Sequence, residues 1–150
     1  MSASFADRLA QTIKAAMLAR DADRLSTLRM LKSAIGYLQI EKKVDALSDA
    51  DFIAAVQREV KKRQDSITQF EQGGRPELAA KEKLEILVLN EFLPTALTPE
   101  ELTALVQKAI TDTGATSKKD MRTVIQAVQT QAAGRADGKS ISTAVSSLLP

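Results

Sequence analysis

Apolar residues along this chain recur at spacings of three and four and nowhere alternate with polar ones, so the pattern predicts helices almost throughout. The first is expected from about Phe5 to Ala19, with Phe5, Leu9, Ile13, Ala16 and Met17 on one face. A second opens near Asp21 or Asp23 and carries Leu25, Leu28, Leu31, Ile35 and Leu38. A third, from about Asp49 to Gln72, buries Phe52, Val56, Val60, Ile67 and Phe70. Gly73-Gly74 ends it and Pro76 opens a fourth. In that fourth helix Leu84, Ile86, Leu87, Val88, Leu89, Phe92 and Leu93 leave little polar face. A helix apolar nearly all round should be enclosed by others, so the fourth is expected at the centre of an N-terminal lobe.

Helix starts repeat one chemistry. Ser4 with Asp7, Ser48 with Asp51, Thr98 with Glu101 and Ser117 with Asp120 each place a hydroxyl at an N-cap and an acid three residues on. Leu47 and Phe52 flank Ser48 at the spacing of a hydrophobic staple. Pro94 stops one helix and Thr98-Pro99 starts another, which sets the boundary between two lobes. Beyond it, Leu102, Leu105, Val106, Ala109 and Ile110 pattern a helix ended by Gly114. Met121, Val124, Ile125 and Val128 pattern the next, ended by Gly134, and the last runs from about Gly138 to Leu148. The expected fold is all-α: a four-helix N-terminal lobe over residues 1–94 and a three-helix C-terminal lobe over 98–150.

Composition narrows the chemistry. Of 150 residues 44% are hydrophobic and 27% charged, an ordinary globular balance. There is no cysteine, so disulfides, thiolate zinc sites and cysteine nucleophiles are excluded. There is no histidine, the commonest general base and metal ligand. No catalytic residue, metal site or cofactor is expected. The net charge is +2, with fifteen basic against fourteen acidic residues through Leu97 and six against five beyond it. A strongly basic nucleic-acid-binding domain is therefore absent, and any such contact must come from local patches. The longest apolar run, Ile86 to Leu89, is far too short to span a membrane. With no secretory signal at the N-terminus, a cytoplasmic chain is expected.

Two places hold candidate chemistry. Gly134-Arg135-Ala136-Asp137-Gly138-Lys139 makes a compact basic corner, with Gly134 as helix stop and Asp137-Gly138 as the next start. Amide groups at a helix start beside Arg135 and Lys139 suit a phosphate, and Lys118, Lys119 and Arg122 extend the basic bias. The competing reading is a charged turn. In the third helix Arg63 falls inside the apolar stripe, where a charge is costly unless paired. It bridges Glu59, or Glu82 or Glu85 on the fourth helix, or else it faces a partner or ligand in a groove. Aromatic stacking on RNA is unsupported: there is no tryptophan, the phenylalanines sit on apolar stripes, and Tyr37 alone lies off its stripe.

Arg29-Met30-Leu31-Lys32-Ser33-Ala34-Ile35, Lys61-Lys62-Arg63-Gln64-Asp65-Ser66-Ile67, Gly74-Arg75-Pro76-Glu77-Leu78 and Phe92-Leu93-Pro94 occur in an order and spacing that resemble the GatB/YqeY family. Lys81-Glu82, Glu85-Ile86, Thr113-Gly114-Ala115, Lys119-Asp120-Met121 and the Gly134–Lys139 segment continue the resemblance over nearly the whole chain. Many members read Tyr-Leu-Pro where this chain has Phe92-Leu93-Pro94. The resemblance implies kinship with the helical tail of the B subunit of glutamine-dependent tRNA amidotransferases. That tail touches the outer part of tRNA, while the catalytic domains of the carbon–nitrogen ligase lie elsewhere. The implied partners are tRNA, held weakly through phosphates, and an aminoacyl-tRNA or amidotransferase complex. The alternative is a protein-interaction adaptor, since the three-helix C-terminal lobe also resembles ubiquitin-associated domains in size and pattern.

Overall fold

The computed structural model describes residues 3–150. Seven α-helices follow one another: α1 (Phe5–Leu18), α2 (Ala22–Lys42), α3 (Asp49–Gln72), α4 (Pro76–Asn90), α5 (Pro99–Thr113), α6 (Met121–Ala132) and α7 (Gly138–Leu148). A single 3-10 turn, Lys118–Asp120, leads into α6, and no strand occurs among the described residues. The chain divides into a unit ending at Leu93 and a second unit, Pro94–Pro150.

Local chemistry sets the helix ends. Ser4, Asp21, Ser48, Thr98 and Asp137 each accept the backbone N–H three residues on, at 2.7–3.2 Å. Each satisfies one of the amides a helix start leaves without a partner. At four C-terminal ends a left-handed residue turns the chain so that the next N–H reaches back five residues. Arg20, Lys43, Gly74 and Gly114 take this position, and the closing bonds run Asp21 to Ala16, Val44 to Gln39, Arg75 to Phe70 and Ala115 to Ile110.

The centre of the first unit is α2. It packs against α1, α3 and α4, and its Thr27, Leu28, Leu31, Ile35 and Leu38 are buried. The fourth helix is not enclosed as its composition predicted. Only Ala79 and Leu89 of α4 are buried, while Leu84 and Leu87 are 64% and 63% exposed. One side of α4 meets α3 and α2, and Leu84 and Leu87 lie off that side. The core position of α2 is harder to read because its inward face includes Thr27, whose hydroxyl is satisfied by the carbonyl of Asp23 at 3.2 Å.

Aromatic and charged groups close one end of this unit. Phe5 stacks on Phe52 with centroids 4.9 Å apart, and Phe52 meets Phe92 at 6.4 Å. The Arg8 guanidinium lies 5.5 Å from the Phe5 ring and 5.6 Å from that of Phe92, and donates to the Glu91 carbonyl at 2.9 Å. Arg24 grips the Glu91 carboxylate with both terminal nitrogens. Those hydrogen bonds hold the Glu91 carboxyl below its ordinary value.

In the second unit Val106, Ala109, Val124, Val128, Ala132, Ile141, Val145 and Leu149 form the core. Leu97 packs partly against it, and its N–H donates to the Arg135 carbonyl at 2.8 Å. The stretch 94–97, which the sequence presents as a connection, is thus tied into this unit.

The centrality of α2 has a measurable consequence. Leu28→Ala should cost about 2–5 kcal/mol of unfolding free energy, while Leu84→Ala should stay within about 0.5 kcal/mol. Denaturant titration of the two variants checks this.

Candidate functional site

At the turn from α6 to α7 the chain takes two left-handed residues in succession, Ala133 (φ 49°) and Gly134 (φ 84°). The helix stop expected of Gly134 alone is thus shared with an alanine. Asp137 starts α7 by accepting the Ser140 N–H at 2.7 Å. Gly138 is the first residue of α7, and a Cβ added there would meet nothing within 4 Å, so Asp137 and not this glycine determines the start.

The basic groups of the turn are only partly free. A carboxylate, that of Asp137, already sits at the α7 N-terminus. Arg135 is also engaged: its Nε donates to the Thr95 carbonyl at 2.9 Å and a terminal nitrogen meets Glu101 at 3.4 Å. With its backbone carbonyl on Leu97, Arg135 holds segment 95–97 and the α5 start against this turn. Lys139 is exposed and makes no ion pair among the described residues.

The other three basic candidates lie elsewhere. Lys118 and Lys119 occupy the 3-10 turn and Arg122 lies in the first turn of α6. The Lys118 N–H donates to the Pro150 carbonyl at 3.2 Å, which puts this turn at the far end of α7 from Lys139. The eleven residues of α7 separate the two ends by about 16 Å. The structure thus divides the five predicted cations into Arg135 and Lys139 at one end and Lys118, Lys119 and Arg122 at the other. The last three are exposed and free of carboxylate partners among the described residues. Ser117 and Asp120 hold their turn in shape, Asp120 by accepting the Thr116 N–H at 3.0 Å.

Arg63 is the one buried charge among the described residues, 7% exposed. Its Nε donates to Glu85 on α4 at 2.9 Å, and one terminal nitrogen reaches both the carboxylate and the carbonyl of Glu59 at 3.0 Å. Glu82 stands 4.0 Å away, and the other terminal nitrogen contacts the Met30 sulfur at 3.8 Å. Three carboxylates around one guanidinium leave an excess of negative charge. Burial, and then the Glu85 charge, raise the Glu82 carboxyl above its ordinary value, with Arg63 opposing.

Beside this network lies an open groove of about 670 Å³ that the sequence pattern did not reveal. Its floor is the outer face of α2, from Leu25 through Arg29, Met30 and Ser33 to Tyr37, and its rim is Glu59 and Lys62 of α3. The signals for it in the sequence were Tyr37, off the apolar stripe of its helix, and the alternative that Arg63 faces a groove, though nothing placed that groove on α2. No group of acidic side chains among the described residues is arranged to hold a metal ion.

These features define an all-helical protein in which a few charged pairs, those of Arg24, Arg63 and Arg135 among them, tie separate segments together while other cations face outward. The chain belongs to the YqeY-like family: the family model described as Yqey-like protein matches residues 6–149. It is similar to an uncharacterised protein of Schizosaccharomyces pombe, 36% identical over 78 residues, covering 52% of this chain and 63% of that protein. It is also similar to the Altered inheritance of mitochondria protein 41, mitochondrial, of Kluyveromyces lactis, 35% identical over 107 residues, covering 69% of this chain and 57% of the relative. The protein of that name from Eremothecium gossypii is 33% identical over 109 residues, with 69% and 59% covered. The chain thus spans between 57% and 63% of the length of these relatives.

Two outcomes follow from the Arg63 network. Arg63→Ala strands Glu59 and Glu85 and should cost about 3–5 kcal/mol. Lys62→Ala, which removes an exposed pair with Glu59, should cost under about 0.5 kcal/mol; thermal and urea unfolding compare them. Glu82→Gln should raise the thermal midpoint at pH 7. A carboxyl with a raised folded-state value destabilises while ionised and ceases to do so as pH falls through that value. The gain should therefore shrink toward pH 4, which a pH series of melts measures.

Proposed function

We propose that this chain is a non-catalytic, tRNA-associated helical protein, an accessory to glutamine-dependent tRNA amidotransferase or a free-standing relative of its B-subunit tail. The observation that carries the reading is the group Lys118, Lys119 and Arg122, three exposed cations on the 3-10 turn and the first turn of α6 that make no ion pair among the described residues, although Asp120 stands between them. Such a group binds an RNA backbone by charge and position, without reading bases. Arg135 supports it indirectly, by fixing the α5 and α6–α7 ends of the same unit. Carbon–nitrogen ligation with glutamine as amide donor then belongs to the complex and not to this polypeptide, which lacks histidine, cysteine and a glycine-rich phosphate loop.

Two further elements complete the reading. The four-helix and three-helix units are separate domains. The chain acts in the cytoplasm; no helix among the described residues is long and apolar enough to cross a membrane, and two of the relatives carry the word mitochondrial in their names.

The adaptor reading with a ubiquitin-associated-like C-terminal lobe has less support. Such a lobe needs an outward apolar patch, and Leu148, 36% exposed, is the only large exposed hydrophobic residue of the second unit among the described residues. Met17, Leu18, Met30, Tyr37, Ile40, Val44, Leu84 and Leu87 all lie in the first.

Titration of labelled, folded tRNA at several salt concentrations tests the proposal. Three phosphate contacts give a slope of log affinity against log salt no steeper than about −2.7. Joint substitution of Lys118, Lys119 and Arg122 by alanine should abolish most of that slope, and Lys139→Ala should change it by no more than about one unit. Equal binding by the triple variant, or no binding at low salt, would contradict the reading.

A further inference from the structure

We infer that the groove along α2 is a docking site for an acidic amphipathic helix of a protein partner. The argument starts from length. The lining runs from Ala22 to Tyr37 on one helix, and fifteen steps at a helical rise make about 22 Å, four turns of a bound helix. A single nucleotide would occupy a fraction of that span.

Its chemistry suits an apolar helix face. Leu25, Met30 and Tyr37 give apolar surface, with Met30 41% and Tyr37 75% exposed, and small Ser26, Ser33 and Ala34 between them let another backbone come close. Tyrosine, methionine and arginine are the side chains enriched in protein–protein contacts, and a helix seats itself in such a groove through anchors at i, i+3 or i+4, and i+7. Tyr37 is the only aromatic residue on the lining, whereas single-stranded RNA is held by several stacked aromatics.

Charge fixes the sign of the occupant. Arg29, on the floor, makes no ion pair among the described residues. Lys62 on the rim is 71% exposed. Glu59 is the sole acid of the lining, and its carboxylate is already shared between Arg63 at 3.0 Å and Lys62 at 3.2 Å. Over the lining itself, Arg29 and Lys62 against Glu59 leave one positive charge, that of the unpaired Arg29, which complements a glutamate beside the apolar anchors of the partner.

The buried network gives the wall its rigidity. Arg63 contacts the Met30 sulfur and holds Glu59 from below, so one guanidinium positions two lining residues. This docking role does not rest on the tRNA proposal, which concerns the other unit.

The test uses the full chain, nitrogen-15 labelled, titrated with a synthetic helical peptide carrying leucines at the anchor spacing and glutamates on either side. The amides of Leu25, Arg29, Met30, Ser33 and Tyr37 should shift. Arg29→Glu and Tyr37→Ala, both at exposed positions and checked for unchanged fold by the same spectra, should each weaken binding by about tenfold. The same peptide with lysines for glutamates should bind about tenfold more weakly. The inference is overturned if groove amides do not move, if both peptides bind alike, or if the shifts centre on Leu84 and Leu87. It is overturned equally if folded tRNA moves the groove amides and the peptide does not.

Discussion

The first unit depends on a charge in its interior. Arg63 stands among apolar side chains of α3, where an unpaired guanidinium would be prohibitive. Glu85 and Glu59 remove that cost with bonds of 2.9 and 3.0 Å, the first across to α4 and the second one turn back along α3. An apolar stripe tolerates sliding by small steps, but a planar fork aimed at two carboxylates does not. The pair therefore fixes the register of α4 on α3, the most extensive helix packing in the molecule, and through the Met30 sulfur it reaches α2 as well. Its net contribution to stability is small or even unfavourable against an apolar substitute of the same shape. What it supplies is a single arrangement.

The second unit repeats the device at its surface. Arg135 takes the Thr95 carbonyl and the Glu101 carboxylate with its side chain and the Leu97 N–H with its carbonyl. Half-exposed, such a clamp is weaker than its buried counterpart, and it acts by holding an entering segment in place. The same contact redirects the functional reading. Arg135 has its Nε on the Thr95 carbonyl and one terminal nitrogen 3.4 Å from Glu101, whereas Lys118, Lys119 and Arg122, at the opposite end of α7, make no such internal contacts with their side chains.

Much of the fold was legible because its signals are local. Hydroxyls at Ser4, Ser48 and Thr98, Pro76 and Pro99 at first helical positions, and Gly74 and Gly114 past helix ends act within one turn of themselves, so their meaning survives without tertiary knowledge. The stripe containing Arg63 gave its burial and its partner Glu59, since i and i+4 neighbours are fixed by the helix, while it left Glu82 and Glu85 on α4 as alternatives. What failed needed distances between elements. The apolar composition of α4 said nothing of whether a neighbour existed for Leu84 and Leu87. Lys118, Lys119 and Arg122 read as neighbours of Lys139 because sequence counts residues, while two antiparallel helices set them about 16 Å apart. The groove on α2 was illegible for the same reason: its rim belongs to another helix.

A double-mutant cycle on Arg63 and Glu85 tests the central claim that this buried pair specifies the packing of α3 on α4. Unfolding free energies are compared for Arg63→Met, Glu85→Leu, the combination of both, and the unaltered chain. If the pair acts as described, Arg63→Met is strongly destabilised because it strands Glu85, and Glu85→Leu loses the bond across to α4 while Arg63 keeps Glu59. The double variant then recovers most of the loss, with a coupling energy of about 2–3 kcal/mol. Losses that simply add, with coupling under about 0.5 kcal/mol, would show that the two residues are fixed independently and that the register of the helices rests on apolar packing alone.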